Sequence, residues 1–111
     1  GKKINVLYAH NDDMAIGASL AAKSLGKQLI TTGADGQTPA LEAIADKTIT
    51  ATVDAAPYQM GQVAMQVALD TLAGKFKGGW VETTIVIRDS SNVLEVLRKP
   101  EVLSPKPSKK Y

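Results

Sequence analysis

The sequence predicts an α/β fold, a parallel sheet flanked by helices. Two observations carry this. Short β-branched runs alternate with longer stretches of helical periodicity, and turn residues punctuate nearly every junction. Strand–helix–strand order repeated along a chain is the pattern of a parallel sheet covered by helices, with right-handed crossovers.

The elements follow in order. Ile4 to Ala9 is a short apolar run, read as a strand. Asp12 to Leu25 reads as a helix, with Met14, Ala15, Ala18, Ala22 and Leu25 as its inward stripe, Asp12 as N-cap and Gly26 as its stop. Gln28 to Gly33 is the second strand. Gln37 or Thr38 opens a helix through Ala40, Leu41, Ala43 and Ile44, with Pro39 in its tolerant first turn. Thr48 to Val53 is the third strand. Pro57 begins the longest helix, which Gly74 ends, and its Met60 and Met65 read with Met14 as core filler. Val81 to Ile87 is strongly β-branched and reads as the last strand. Asn92 to Arg98 has room for one or two helical turns. From Pro100 onward, prolines, serines and lysines read as a surface tail, residues 100–111.

Composition excludes several functions. The chain has 111 residues, enough for one modest domain, and a net charge of +2. Its lysines gather near the two ends with no aromatic–basic stripe, so nucleic acid is not a predicted partner. No cysteine is present, which removes disulfides, thiolate metal sites and cysteine nucleophiles. His10 is the only histidine, so neither a histidine-pair metal site nor a Ser-His-Asp triad is expected, and a satisfied structural role is the plainer reading of it. No nucleophile-elbow, phosphate-loop or dinucleotide motif occurs; Gly33 and Gly36 bracket Asp35 as a turn. No cofactor and no enzymatic activity are expected. No apolar run reaches the roughly 18 residues of a membrane span. A first residue other than Met suits a processed or engineered start, with any export signal already lost.

In open parallel sheets ligands bind beyond the carboxyl ends of the strands. The residues there are His10-Asn11-Asp12-Asp13, Ala34-Asp35-Gly36 and Asp54-Ala55-Ala56. Asn11 offers a donor and an acceptor, and Asp35 two acceptor oxygens, a combination suited to vicinal hydroxyls. Spacing alone leaves both open to the other common role of such residues, capping a helix. Asp12 and Asp13 read as caps and first-turn dipole partners, Asp54 stays undecided, and Trp80 and Tyr58 read as packing residues rather than sugar-stacking ones.

The words themselves carry a resemblance. INVLYAHNDDMAIGA (Ile4 to Ala18), TGADGQTPALEAI (Thr32 to Ile44), ITATVDAAPYQMG (Ile49 to Gly61) and VIRDSSNV (Val86 to Val93) resemble, in order and spacing, type I periplasmic sugar-binding proteins of the ribose and galactofuranose type, the solute receptors of ABC importers. The resemblance implies a partial lobe of Rossmann-like, flavodoxin-like build. It implies that Asn11 and Asp35 are cleft residues that hydrogen-bond sugar hydroxyls. A third polar contact would fall at Ala55, where ribose binders place a glutamine, and Asp54 stands beside it to compensate. The implied ligand is a monosaccharide, pentose or hexose, furanose included. The implied partner is a membrane ABC permease, and the implied location is the periplasm or the cell exterior.

The likeness covers about the last third of such receptors, which would make this chain a fragment. Residues 1–53 and 84–99 would then belong to the C-terminal lobe. Residues 54–83 would hold two hinge crossings, near Val53–Ala56 and Val81–Thr83, and a helix of the other lobe. A missing lobe, or a second copy by domain exchange, is the expected cover for that helix. The main competing reading is the effector-binding core of a LacI-type repressor, which shares the NDxMAxG word.

Overall fold

The computed structural model describes residues 3–99; the expected tail at 100–111 lies outside them. The elements are β1 (Val6–Tyr8), α1 (Asp12–Ser24), β2 (Ile30–Asp35), α2 (Thr38–Ala45), β3 (Ala51–Asp54), α3 (Pro57–Leu72), β4 (Val86–Asp89) and α4 (Val93–Leu97). They form one four-stranded sheet in the order β1-β2-β3-β4.

The α/β class and the element order match the sequence reading, with one correction to the sheet. β1, β2 and β3 are parallel, but β4 runs antiparallel to β3. The sheet is therefore mixed. The reason lies in α3, which has no buried residue and does not lay the chain back along the sheet. The chain instead re-enters from the opposite end. The last strand also starts later than its β-branched run. Val86 pairs with Asp54, where β3 ends, so residues 81–85 have no neighbouring strand to pair with.

Alternation sorts the sheet into two faces. Leu7, Thr31, Gly33 and Thr52 point toward α1, α2 and α4. The core there is small: Ala15, Ala40, Leu41, Ala43, Ile44, Ile49, Val93 and Val96. The inward stripe of α2 is as expected. That of α1 is not. Asp12, Ala15, Ser19 and Ala22 are buried, whereas Met14 and Leu25 face out. Met60 and Met65 are also exposed, so none of the three methionines fills the core. Small residues win on α1 because the helix lies close against β2. The Ser19 hydroxyl donates to Thr31 Oγ1 at 2.8 Å across that contact.

One buried carboxylate holds the layers together. Asp12 is fully buried in the first turn of α1. Its Oδ1 accepts from the Thr52 hydroxyl of β3 at 2.5 Å, and its Oδ2 accepts from the Gln37 backbone N–H at 2.8 Å. The N-terminal end of the α1 dipole adds favourable field. Gly33 makes the approach possible, because a Cβ there would run into Asp12 Oδ1. Asp12 is thus not the N-cap expected from sequence, but a tie between helix, strand and loop.

β4 passes into α4 through a second polar turn. Asn92 donates from Nδ2 to the Ile87 carbonyl at 2.9 Å and accepts from the Asp89 N–H at 3.2 Å. Asp89 accepts from the Ser91 hydroxyl at 2.6 Å and from its N–H at 2.8 Å.

Two predictions follow from these contacts. Asp12→Ala removes two hydrogen bonds to a charged, buried acceptor and should destabilise the chain by about 3 kcal/mol or more. Gly33→Ala, which forces the same carboxylate aside, should cost about 1–3 kcal/mol. Urea denaturation followed by circular dichroism measures both; a loss under half a kilocalorie in either would remove Asp12 from this role. The Ser91 hydroxyl, and then its N–H, hold the Asp89 carboxyl below its ordinary value. A depressed folded value means the turn's stabilisation is intact above the ordinary carboxylate range and is lost as pH falls through the folded value. Acid titration followed by NMR should show Ser91 and Asn92 signals moving together with the Asp89 carboxyl, and Asp89→Asn should abolish that coupled movement.

Candidate functional site

The carboxyl-end edge of the sheet gathers the residues expected to carry chemistry. Ala9, just past β1, donates its N–H to the Thr32 carbonyl at 2.9 Å, which fixes the tip of β1 against β2. The chain then turns through His10 into Asn11. Asn11 is the N-cap of α1: its Oδ1 accepts from the Met14 N–H at 2.9 Å. That bond settles the amide's orientation. Nδ2, a donor, is left without a partner among the described residues. Asp12, next in the chain, binds the Gln37 N–H, so Asn11 stands beside the turn that ends β2.

Asp35 closes β2 and pairs in register with Asp54 of β3. It does not cap α2, whose N-cap is Gln37. Its side chain is exposed, and among the described residues its one hydrogen-bond partner is Gln37, whose Nε2 lies 3.4 Å from Oδ2. Its backbone is in the left-handed region, with φ at 112°. Gly36 follows with φ at 75°, and a Cβ there would come within 2.6 Å of Asp54 Cβ and Cγ. The Asp35–Gly36 turn therefore leans directly on Asp54.

Asp54 is buried and fully engaged by the protein. Oδ1 accepts from the Ala56 N–H at 2.8 Å, and Oδ2 accepts from Arg88 Nε at 2.9 Å. Arg88 comes from β4, and sequence reasoning missed it. The available signal was a lone arginine inside a β-branched strand facing a strand-terminal aspartate. Ala55 is half-buried at the same edge with a methyl side chain. Ala56 adopts φ 46° and ψ 60°, a left-handed break from which α3 departs.

Other residues lie elsewhere. His10 is exposed, its ring 5.6 Å from that of Tyr8 between centroids, so it is not a buried structural histidine. Trp80 is 90% exposed and so does not take the packing role read from sequence. Asp13 is exposed in the first turn of α1. A cavity of about 350 Å³ opens at the opposite, amino-terminal edge, lined by Lys23, Lys27, Asp46 and Lys47 among others. Asp46 there is occupied by the Thr48 N–H at 2.8 Å. No group of three or more potential metal-ligating side chains occurs among the described residues.

The likeness to known proteins runs along most of the chain. A model of the periplasmic binding protein domain matches residues 1–76. The chain belongs to the periplasmic binding protein domain family. It is 43% identical over 72 residues to the ribose import binding protein of Bacillus subtilis, covering 65% of this chain and 24% of that one. It is 33% identical over 106 residues to the galactofuranose-binding protein of Escherichia coli, covering 92% of this chain and 32% of that one. It superposes with a TM-score of 0.76 and 26% identity on a periplasmic solute-binding protein of Actinobacillus succinogenes with bound D-allose, over 83% of this chain and 33% of that one. The ribose and galactofuranose resemblance of the sequence words is thus correct. This member spans about a quarter to a third of the length of the two curated relatives.

The capping and donor roles of Asn11 separate by mutation. Asn11→Ala should lose about 1 kcal/mol of stability, while Asn11→Ser keeps a capping oxygen and should stay close to wild type. Thermal denaturation of the two variants checks this; equal losses would mean the cap contributes nothing.

Proposed function

We propose that this chain forms one wall of the sugar cleft of an ABC importer's binding protein. On this reading Asn11 and Asp35 contact the sugar. The observation that carries it is the pairing of free valences at one edge. The Asn11 cap leaves Nδ2 as a donor, and Asp35 presents exposed acceptor oxygens at the same edge of the sheet. A sugar hydroxyl both donates and accepts, so neighbouring hydroxyls satisfy the two together. Ala55 and Asp54 line the same edge. Ala55 offers no polar contact, and Asp54 meets the protein's own donors.

In this proposal residues 1–53 and 84–99 belong to one lobe, and residues 54–83 carry the crossings and a helix of the other. Support comes from α3, which buries nothing among the described residues, and from a radius of gyration of 17.7 Å. A compact chain of this length has a value of about 13 Å. Sugar held between two lobes favours their closed arrangement by its differential affinity for that state, and a membrane permease then reads the closed form. The work is capture, not catalysis, and its place is the periplasm or the cell exterior. The named import relatives favour this reading over a repressor's effector core.

Titration of the isotopically labelled chain with D-ribose, D-galactose and D-allose tests it by NMR. Saturable shifts are expected at the Asn11 side-chain amide and at Asp35 and Gly36. One wall alone should give affinity near the millimolar end of the range, about −4 kcal/mol. Asp35→Ala should weaken it by about tenfold or more, the loss of one hydrogen bond to a charged group. Shifts confined to other regions, or none with any of the three sugars, would sink the reading.

A further inference from the structure

Two of the three non-glycine residues with positive φ among the described residues, Asp35 and Ala56, flank a single side chain, that of Asp54. Gly36, with its own positive φ, packs against the same carboxylate. Backbone in the left-handed region is strained for a non-glycine residue and persists only where its surroundings hold it. Asp54 is the holding group. One oxygen binds the Ala56 N–H, and its Cβ and Cγ fill the space beside Gly36. The second oxygen is bound by Arg88 in a half-shielded ion pair, with side-chain exposures of 17% and 8%. Arg88 sits on β4, the strand by which the chain returns, and Asp54 on β3, the strand by which it leaves. Thr52, two residues before Asp54, binds Asp12. The carboxylates of Asp12 and Asp54 therefore support the Asp35–Gln37 turn from two sides.

We propose that Arg88 is a positioning residue for the sugar edge: through Asp54 it holds the Asp35–Gly36 turn and the Ala56 crossing in the geometry that aims Asp35 at a ligand, without touching the ligand itself. The proposal rests on the sugar-binding reading for its functional half. Its structural half stands on the contacts alone. Removing the guanidinium leaves Asp54 with one of its two donors and a carboxylate shielded from water, and the turn is then free to relax.

The test uses Arg88→Met, which keeps the apolar stem, Arg88→Lys, which restores a charge with a single-point donor, and Asp54→Asn. Amide exchange at Ala56 and sugar titration at Asp35 are read in each. Arg88→Met should speed Ala56 exchange about tenfold beyond any change at core amides such as Ile44, and weaken sugar binding by a similar factor, the scale of one lost charged hydrogen bond. Arg88→Lys should recover part of both. Arg88→Met added to Asp54→Asn should cost nothing further, because Arg88 acts only through Asp54. Unchanged Ala56 exchange, a change shared equally by the core amides, or additive losses in the double variant would each overturn the proposal. If Arg88→Met does not fold, Arg88→Lys decides by the same comparison of Ala56 with Ile44. If the wild-type chain takes none of the sugars, the sugar reading fails, and the Ala56 amide alone judges whether Arg88 holds the turn.

Discussion

The candidate ligand edge depends first on a carboxylate buried behind it, that of Asp12. Asp12 is buried without a cation within ion-pair distance among the described residues, and hydrogen bonds and a helix terminus meet its needs. A buried, unsatisfied carboxylate is costly enough that such a group either has its donors or changes protonation. Here the donors come from two different elements, β3 and the loop after β2. The tie therefore fixes α1, β3 and the β2–α2 turn in one arrangement. Asn11, one residue earlier, is carried along as the cap of the same helix. The position of the candidate sugar donor is thus set by its neighbour, not by Asn11 itself.

The sequence made Asn11 and Asp35 legible and hid what the two buried carboxylates, Asp12 and Asp54, bind. Asn11 and Asp35 follow from a geometric rule: strand tips of a parallel sheet face the ligand. The rule needs only strand positions, and those were readable from β-branched runs. Asp12 reads as a cap because a carboxylate at a helix start usually serves there. Its burial depends on Gly33, whose missing Cβ opens the space, and on Thr52, 40 residues away. Asp54 and Arg88 are paired across a strand interface that exists only because β4 runs antiparallel, with Thr52 opposite Arg88 and Asp54 opposite Val86. A sequence periodicity of two says that a strand is present. It says nothing of which way that strand runs.

Direction was lost for the same reason that Met60, Met65 and the Val81–Ile87 strand were misplaced. Apolar spacing on α3 looks like that of any sheet-covering helix, and a helix that covers the sheet returns the next strand parallel. In this chain Ala56 turns sharply out of β3 and α3 departs with its apolar side chains exposed. The helix has the pattern of a buried element and the environment of an exposed one. Pattern reports what a segment is built to meet, and only the fold shows whether the partner is part of the described chain.

The sheet itself presents the same mismatch on its other face. Val6, Tyr8, Ile30 and Ile87 are exposed there, on the side away from α1, α2 and α4. Parallel strands are ordinarily covered on both faces, because an apolar sheet surface left in water forgoes roughly 25 cal/mol for each square ångström it would otherwise bury. The uncovered face and the uncovered helix are two separate apolar surfaces, and in this conformation neither covers the other. On the two-lobe reading each has its own cover: the face within the same lobe, the helix in the other. On that reading the polar edge between them is a surface that stays open until a sugar fills it, and the spare donor of Asn11 and the exposed acceptors of Asp35 suit that role.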